Sequence, residues 1–478
     1  MSFGWNFDNS YACLPKAFHH RVNPTPVADP KIILLNRPLA QSLGLDDAAL
    51  ARAEAATYFT GNQIFPGSEP IAQAYAGHQY GNLARLGDGR AILLGEHRTP
   101  AGQRFDIQLK GAGPTAYSRR GDGRAALGPM LREYLISEAM HALGIPTTRS
   151  LAVACSGEPV FREEPLPGAI LTRVAASHIR VGTFEYFAAI GDFDNLRILA
   201  NHTLHRHFPN AAQAQAPLFA MLEEVIERQA LLVSQWMSVG FVHGVMNTDN
   251  MAVSGETIDY GPCAFIDAYN PSSVFSSIDH HGRYAFGQQP GIAAWNLARF
   301  AEALLPILHP EPDAALTQAN AALDTFSQRY QHHWLAALRA KLGLFTAEPE
   351  DAALGEELLG LMHQTQADYT HTFRNLGPSS IPGNAQFASW HRRWTERLSR
   401  QPQPEMEVRR LMNNNNPAVI PRNHAVEAAL TAAASNEFTP LERMLAALAR
   451  PYEEGDQPDE LLNHPPPGTP ACRTFCGT

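Results

Sequence analysis

The stretch FVHGVMNTDNM, Phe241 to Met251, followed shortly by IDYGP, Ile258 to Pro262, decides the fold class. A histidine, a short loop ending in asparagine, and an Asp-x-Gly after a brief strand form paired loops. Such loops set an amide oxygen beside a carboxylate, two hard ligands for a small divalent cation. His243, Gly244 and Asn250 stand at the required spacing, and Asp259-Tyr260-Gly261 supplies the second loop. The position that ordinarily carries the catalytic base holds Val245, and a carboxylate appears later, as Asp249 beside Asn250.

This is the spacing of a protein-kinase active site, whose loops carry His-Arg/Gly-Asp and Asp-Phe-Gly. The expected fold class is α+β, a protein-kinase-like bilobal fold with an N-terminal extension and a helical C-terminal extension. The expected divisions are 1–80 for the N-terminal extension, 81–190 for the N-lobe, 191–330 for the helical C-lobe, and 331–478 for a helical extension with a Pro-rich tail.

Upstream of the opening stretch, LFAMLEEVIERQALLVSQWMSVG is helical and leads directly into it. RSLAVACSG and GAILTRVAA have the texture of strands. In MLREYLISEAMHALG, residues Leu131, Leu135, Ala139 and Leu143 share one helical face, and Gly144 with Pro146 supplies the stop. RFDIQLKG, Arg104 to Gly111, alternates as a strand ending at Lys110. In LARLGDGRAILLGEH, apolar runs flank Gly87-Asp88-Gly89, a strand-turn-strand signal. Residues 1 to about 80 suggest an irregular wrapping segment with a helix near RPLAQSLGL. Downstream, AAWNLARFAEALLPIL, FSQRYQHHWLAALRAKLG and FTPLERMLAALAR are amphipathic helices, and NHPPPGTPACRTFCGT is a Pro-rich tail without regular structure.

With 478 residues, 45% of them hydrophobic, the chain can bury a large core. A net charge of -10 argues against a nucleic-acid partner, because phosphate backbones are held by clustered Lys and Arg. The N-terminus lacks the basic start and apolar core of a signal peptide, and no uninterrupted apolar run reaches the roughly 18 residues of a membrane span. The expectation is a soluble cytoplasmic protein with no membrane partner. Five scattered cysteines do not make a disulfide scaffold. The His-His pairs at His19, His280 and His332 sit in no zinc-site array and are ordinary polar residues.

Phosphoryl chemistry needs cations for phosphate oxygens, oxygen ligands for a metal, and an acceptor for the proton of the attacking hydroxyl. Lys110 at a strand end, with Glu133 on a helix to orient it, supplies the first part, although Lys–Glu pairs are also common structural features. Asn250 and Asp259 suit Mg²⁺ or Mn²⁺; singly they would be a turn residue and a loop cap. Asp249 is the candidate proton acceptor, and its displacement from position 245 points either to a changed site of attack or to a lost activity. Arg173 and Arg180 would lie on one face two turns apart if the segment between them were helical, and could clamp a terminal phosphate. Two Gly-Asp-Gly-Arg turns, Gly87 to Arg90 and Gly121 to Arg124, offer backbone N–H groups to an anion.

The segments AYAGHQYGNLARLGDGRAILLGE, FDIQLKGAGPTAYSRRGDGRAALGPMLREYLISEAM, LTRVAASHIRVGTFEYFA and HGVMNTDNMAVSGETIDYGPCAFIDAY closely resemble the selenoprotein O family, also called the YdiU family. The resemblance runs over most of the chain. It implies a kinase-like fold that binds ATP in a flipped orientation and transfers AMP, not phosphate, to hydroxyl side chains of proteins. By position it implies nucleotide contacts from Gly87, Gly89, Arg90, Lys110, Asp122, Gly123, Arg173, Arg180 and Asp259. It makes Asp249 the proton acceptor, Asn250 and Asp259 the ligands of Mg²⁺ or Mn²⁺, and Glu133 the partner of Lys110. ATP is the implied co-substrate, with UTP an alternative nucleotide. The implied partners are proteins with Ser, Thr or Tyr hydroxyls, in redox or glutathionylation pathways. Some relatives carry selenocysteine or cysteine third from the end, a place matched by Cys476, linked in some members to a cysteine of the activation segment. The comparable segment NPSSVFSSIDHHGRYAF has none, which leaves Cys263 or Cys472 as a partner. The competing expectations are a catalytically silent ATP-binding pseudokinase scaffold, motivated by Val245, and an ordinary kinase.

Overall fold

The computed structural model describes residues 3–377, 385–455, 457–465 and 472–475. Its strands are β1 His19–Arg21, β2 Lys31–Leu35, β3 Ile71–Gln73, β4 Ala76–Gln79, β5 Asn82–Arg85, β6 Ala91–Arg98, β7 Arg104–Lys110, β8 Ala125–Ala126, β9 Arg149–Phe161, β10 Pro165–Ala175, β11 Phe241–Val242 and β12 Ala264–Phe265. Eight of them form one sheet in the order β1-β3-β6-β7-β10-β9-β2, with β8 on β10, and its pairings are antiparallel. Beyond Val181 the chain is mainly helical, so the class is α+β.

Period-two alternation gives the sheet two different faces. Ile107 and Leu109 of β7, with Ile170 and Val174 of β10, pack against Leu39, Leu50, Phe59 and Phe65. Leu171 of β10 and Val153 of β9 point the other way and meet Leu131, Leu135 and Ala139 on the Leu127–Ala142 helix. Leu171 stands opposite Lys110, and Arg173 opposite Gln108. Lys110 and Arg173 are therefore brought to the helix side of the sheet by strand register alone.

Two local expectations change. The segment before residue 80 is not irregular throughout: β1, β2 and β3 enter the main sheet, β2 pairing with β9. Short runs such as KIILL become strands because a distant edge accepts them, which local propensity does not report. The helix near RPLAQSLGL is present as Arg37–Ser42, its first turn capped by Asn36 accepting from the Leu39 amide. The strands around Gly87-Asp88-Gly89 do form, but not as a hairpin: β5 pairs with β4, whereas β6 pairs with β3 and β7.

The Pro217–Val239 helix buries Val225, Ile226 and Val233 against Phe300 and Leu304 of the Gln289–Leu308 helix and Phe326 of the Pro312–Lys341 helix. Among the described residues the Phe286–Leu308 stretch is the one long and apolar enough to cross a membrane. Its Ala293, Leu297, Phe300 and Leu304 are instead fully buried in this core. Farther along, Trp390 and Trp394 stack 5.8 Å apart, each fully buried with its indole N–H donated to a backbone carbonyl, those of Leu354 and Leu342.

Candidate active site

Five charged side chains meet where the sheet, the Leu127–Ala142 helix and the Asp-Tyr-Gly loop converge. Lys110 Nζ lies 2.6 Å from Glu133 Oε2 and 3.0 Å from Asp259 Oδ1. Arg173 donates to Glu133 Oε1 at 2.5 Å and to Asp259 Oδ1 at 2.6 Å, and Arg180 Nη2 reaches Asp259 Oδ2 at 3.3 Å. Burial pushes the Asp259 carboxyl up, but Arg173, Lys110 and Arg180 outweigh it and hold the group well below the usual carboxylate range. Glu133 is likewise held low, by Arg173 and Lys110 against its burial. Three cations share two carboxylates here, so the cluster retains capacity for an anion.

The arginines do not reach this point by the helical route. Arg173 lies in β10, and Arg180, in extended conformation, precedes the Val181–Ala189 helix. Strand register delivers one and an extended segment bridged to Ala252 delivers the other, whereas the expectation of one helical face assumed a single element.

Asp249 lies in a short 3-10 turn, Thr248–Asn250, and is 8% exposed. Burial pushes its carboxyl up to about 6, against the pull of Arg180. Its Oδ2 accepts from Gln79 Nε2 at 3.5 Å, and its Oδ1 is buried without a hydrogen-bond partner. Asn250 spends its Nδ2 on the Val245 carbonyl at 2.9 Å, which leaves Oδ1 as its ligand atom. His243 is fully buried with Nε2 2.9 Å from the Ile258 carbonyl, so it ties the two loops together.

The β4–β5 hairpin covers this turn. The His78 amide donates to Thr248 Oγ1 at 2.6 Å, and the Thr248 hydroxyl donates to Glu185 Oε2 at 2.5 Å. Glu185 Oε1 in turn holds His78 Nδ1 at 2.5 Å. This closed set fixes Asp249's neighbour from three elements at once.

A cleft of about 740 Å³ is lined by Lys110, Arg173, Arg180, Asp249, Asn250 and Asp259 together with both Gly-Asp-Gly-Arg turns. All eleven residues expected at the site, Gly87, Gly89, Arg90, Lys110, Asp122, Gly123, Arg173, Arg180, Asp249, Asn250 and Asp259, line it. Val245 lines it as well, with an aliphatic side chain.

The family model described as "Protein adenylyltransferase SelO" matches residues 3–449. The chain belongs to the SelO family. A SelO-family relative from Syntrophotalea carbinolica, "Protein nucleotidyltransferase YdiU", is 58% identical over 99% of this chain and 98% of its own length. Proteins of the same name from Bacillus cytotoxicus and Geobacillus kaustophilus are 57% and 56% identical, the latter over 100% of both chains.

Sequence reasoning missed several residues of this cleft: Tyr75 and Gln79 in the lining, and His78, Glu185 and Thr248 behind Asp249. The run AYAGHQYG was the available signal, but its effect depends on a hairpin folding over a loop far along the chain. Elsewhere, Asp368, His371 and His464 bring ligand atoms within 4.8 Å of one another. Asp368 Oδ2 already holds Arg422 Nη1 at 2.6 Å, and that buried guanidinium also binds Asp267, so the group is an electrostatic tie between the helices and the strand region. Cys263 is buried and Cys472 half-buried, both as free thiols. Cys476 lies outside the described residues.

Proposed function

We propose that this chain is a protein adenylyltransferase with a kinase-like bilobal arrangement, transferring AMP from ATP to Ser, Thr or Tyr hydroxyls of cytoplasmic proteins. The observation that carries the proposal is the identity of the carboxylate in the cleft: Asp249, buried and poised near 6, beside a cluster of three cations, while Val245 occupies the kinase base position.

In this reading Lys110, Arg173 and Arg180 exchange part of their hold on Asp259 for the γ-phosphate of ATP. The nucleotide then lies with its terminal phosphate inward and its α-phosphorus toward Asp249, with the Gly87 and Gly123 turns along its phosphates. The donor set suits Mg²⁺ or Mn²⁺: Asn250 offers an amide oxygen, Asp259 a carboxylate freed by that exchange, and the orphaned Asp249 Oδ1 lies alongside. Asn250 and Asp259 would hold the ion, which when bound supplies charge neutralisation for the leaving pyrophosphate. The substrate hydroxyl gives its proton to Asp249, its oxygen bonds to the α-phosphorus, and the bond from that phosphorus to the bridging oxygen breaks to release pyrophosphate.

Parallel incubations with α-labelled and γ-labelled ATP test this. Label from the α-position alone is expected on protein; γ-label would indicate a kinase, and no label a scaffold. Asp249→Ala is expected to lower α-label transfer by about a hundredfold to ten-thousandfold, the usual worth of a general base. Transfer undiminished in that variant would remove Asp249 from its role.

A further inference from the structure

Beside the cleft, the β4–β5 hairpin over the Asp249 turn carries a basic strip that the transfer chemistry does not use. At the hairpin turn, Gly81 lies against Arg283: a Cβ there would fall 3.8 Å from Arg283 Nη2. At the other end Arg85 is exposed, and its carbonyl accepts from Arg119 Nη2 at 2.6 Å. Between them Leu83, an apolar side chain on a strand, is 47% exposed.

Most arginines of this acidic chain are paired with carboxylates, yet Arg85, Arg119, Arg120 and Arg283 pair with none among the described residues. Arg283 is held ready without one. Its guanidinium lies over the Trp295 ring at 4.8 Å and the Tyr284 ring at 5.6 Å, and its Nε is buried without a hydrogen-bond partner. The nearby carboxylate of Asp279 is spent on the backbone amides of Arg283 and Tyr284. Tyr284 OH in turn donates to Asn247 Oδ1 at 2.6 Å, and Asn247 lines the cleft. A stacked arginine that no carboxylate neutralises is preorganised for one, because the stacking has already restricted its rotamers.

We propose that this strip docks an acidic segment of the protein substrate, with Arg283 and Arg85 taking Asp or Glu side chains and Leu83 an apolar neighbour, so that a hydroxyl flanked by acids is presented to Asp249. The proposal rests on the adenylyltransferase reading and names its substrate class. A net charge of -10 makes it specific, since the surface as a whole repels acidic chains and only a local cationic strip offsets that repulsion.

The test is fluorescence anisotropy of the full chain with a labelled random Glu-Tyr copolymer and a Lys-Tyr copolymer, with an ATP analogue blocked at the α–β bridge present. The acidic copolymer is expected to bind at least about tenfold more tightly than the basic one, and more weakly as salt rises. Arg85→Glu with Arg283→Glu is expected to abolish that preference while leaving affinity for the ATP analogue unchanged. Arg85→Gln with Arg283→Gln, checked by thermal unfolding, keeps the question answerable if charge reversal disturbs the fold. Equal binding of both copolymers by the wild type, or a preference retained in folded double variants, overturns the proposal. Tight binding of the acidic copolymer without α-label transfer to its tyrosines from ATP would count against the transfer reading and for the docking strip.

Discussion

The tetrapeptide Gly-Asp-Gly-Arg occurs twice on the rim of one cleft, and the two copies are built differently. In the first, Asp88 is 2% exposed, and its Oδ2 accepts from the Gln73 amide at 3.0 Å and from Gln108 Nε2 at 3.4 Å. In the second, Asp122 faces solvent and pairs with Arg162 at 2.9 Å. The glycines exchange duties as well. Gly87, first of its turn, has φ +142°, and a Cβ there would fall 2.3 Å from the Tyr117 ring. In the other copy it is the second glycine, Gly123, that has φ +65°, with a Cβ 2.1 Å from the Gly113 carbonyl. Identical residues thus serve as a buried brace in one place and a surface latch in the other. The surroundings decide which, because a turn has no core of its own.

The comparison is broken most sharply at the glycines. Gly123→Ala is expected to cost about 3 kcal/mol, combining left-handed strain with a backbone clash that no side-chain rotation relieves, whereas Gly121→Ala stays under about 1 kcal/mol. Urea unfolding measures both, and equal costs would mean that the turn is free to rearrange. Next in size, Asp88→Ala leaves the Gln73 amide unpaired in the interior and is expected to cost about 1–3 kcal/mol, against about 0–1 kcal/mol for Asp122→Ala on the surface.

The smallest effect concerns the sign of the pH dependence. Burial pushes the Asp88 carboxyl up, with Arg180 opposing. The native chain therefore keeps that proton to higher pH than the unfolded chain, and the contribution of Asp88 to stability falls as pH rises from the ordinary aspartate range through the native value. For Asp122, partial burial is outweighed by hydrogen bonds from Arg162 and the Arg124 amide, which lower it. Its contribution is present above the ordinary aspartate range and is lost as pH falls through the native value. Unfolding free energies of Asp88→Asn and Asp122→Asn, each subtracted from wild type across about pH 3–6, are expected to slope in opposite directions. A common slope would make the two turns electrostatically alike.

Much of the site was legible in the chain because it rests on short-range patterns. The alternation in RFDIQLKG placed Lys110 at a strand end, and the apolar stripe of the Leu127–Ala142 helix left Glu133 facing it, 2.6 Å away. The pairing of Arg173 with Arg180 as a clamp was expected from one helical face, whereas a strand and an extended segment carry them and both meet Asp259, because two arginines seven residues apart do not reveal which element holds them. Of the hydrogen-bonded set of His78, Glu185 and Thr248, only the run around His78 left a local mark, and that run does not say what it meets. Each member is an ordinary polar residue until a hairpin, a helix and a loop from distant parts of the chain close on one another.

Residue chemistry and spacing along the chain were enough for an α+β class and for a carboxylate displaced to Asp249. These depend on side-chain type and on periods of two and 3.6, which are properties of the chain itself, while the family came from the resemblance of whole segments. Tertiary structure alone determined that Asp259 is shared by three cations, that Asp249 is buried and raised to about 6, and that one Gly-Asp-Gly-Arg turn is interior while its twin is wet. Charge pairing and desolvation depend on what distant segments bring to within a few ångströms, and that distance exists only once the chain has folded.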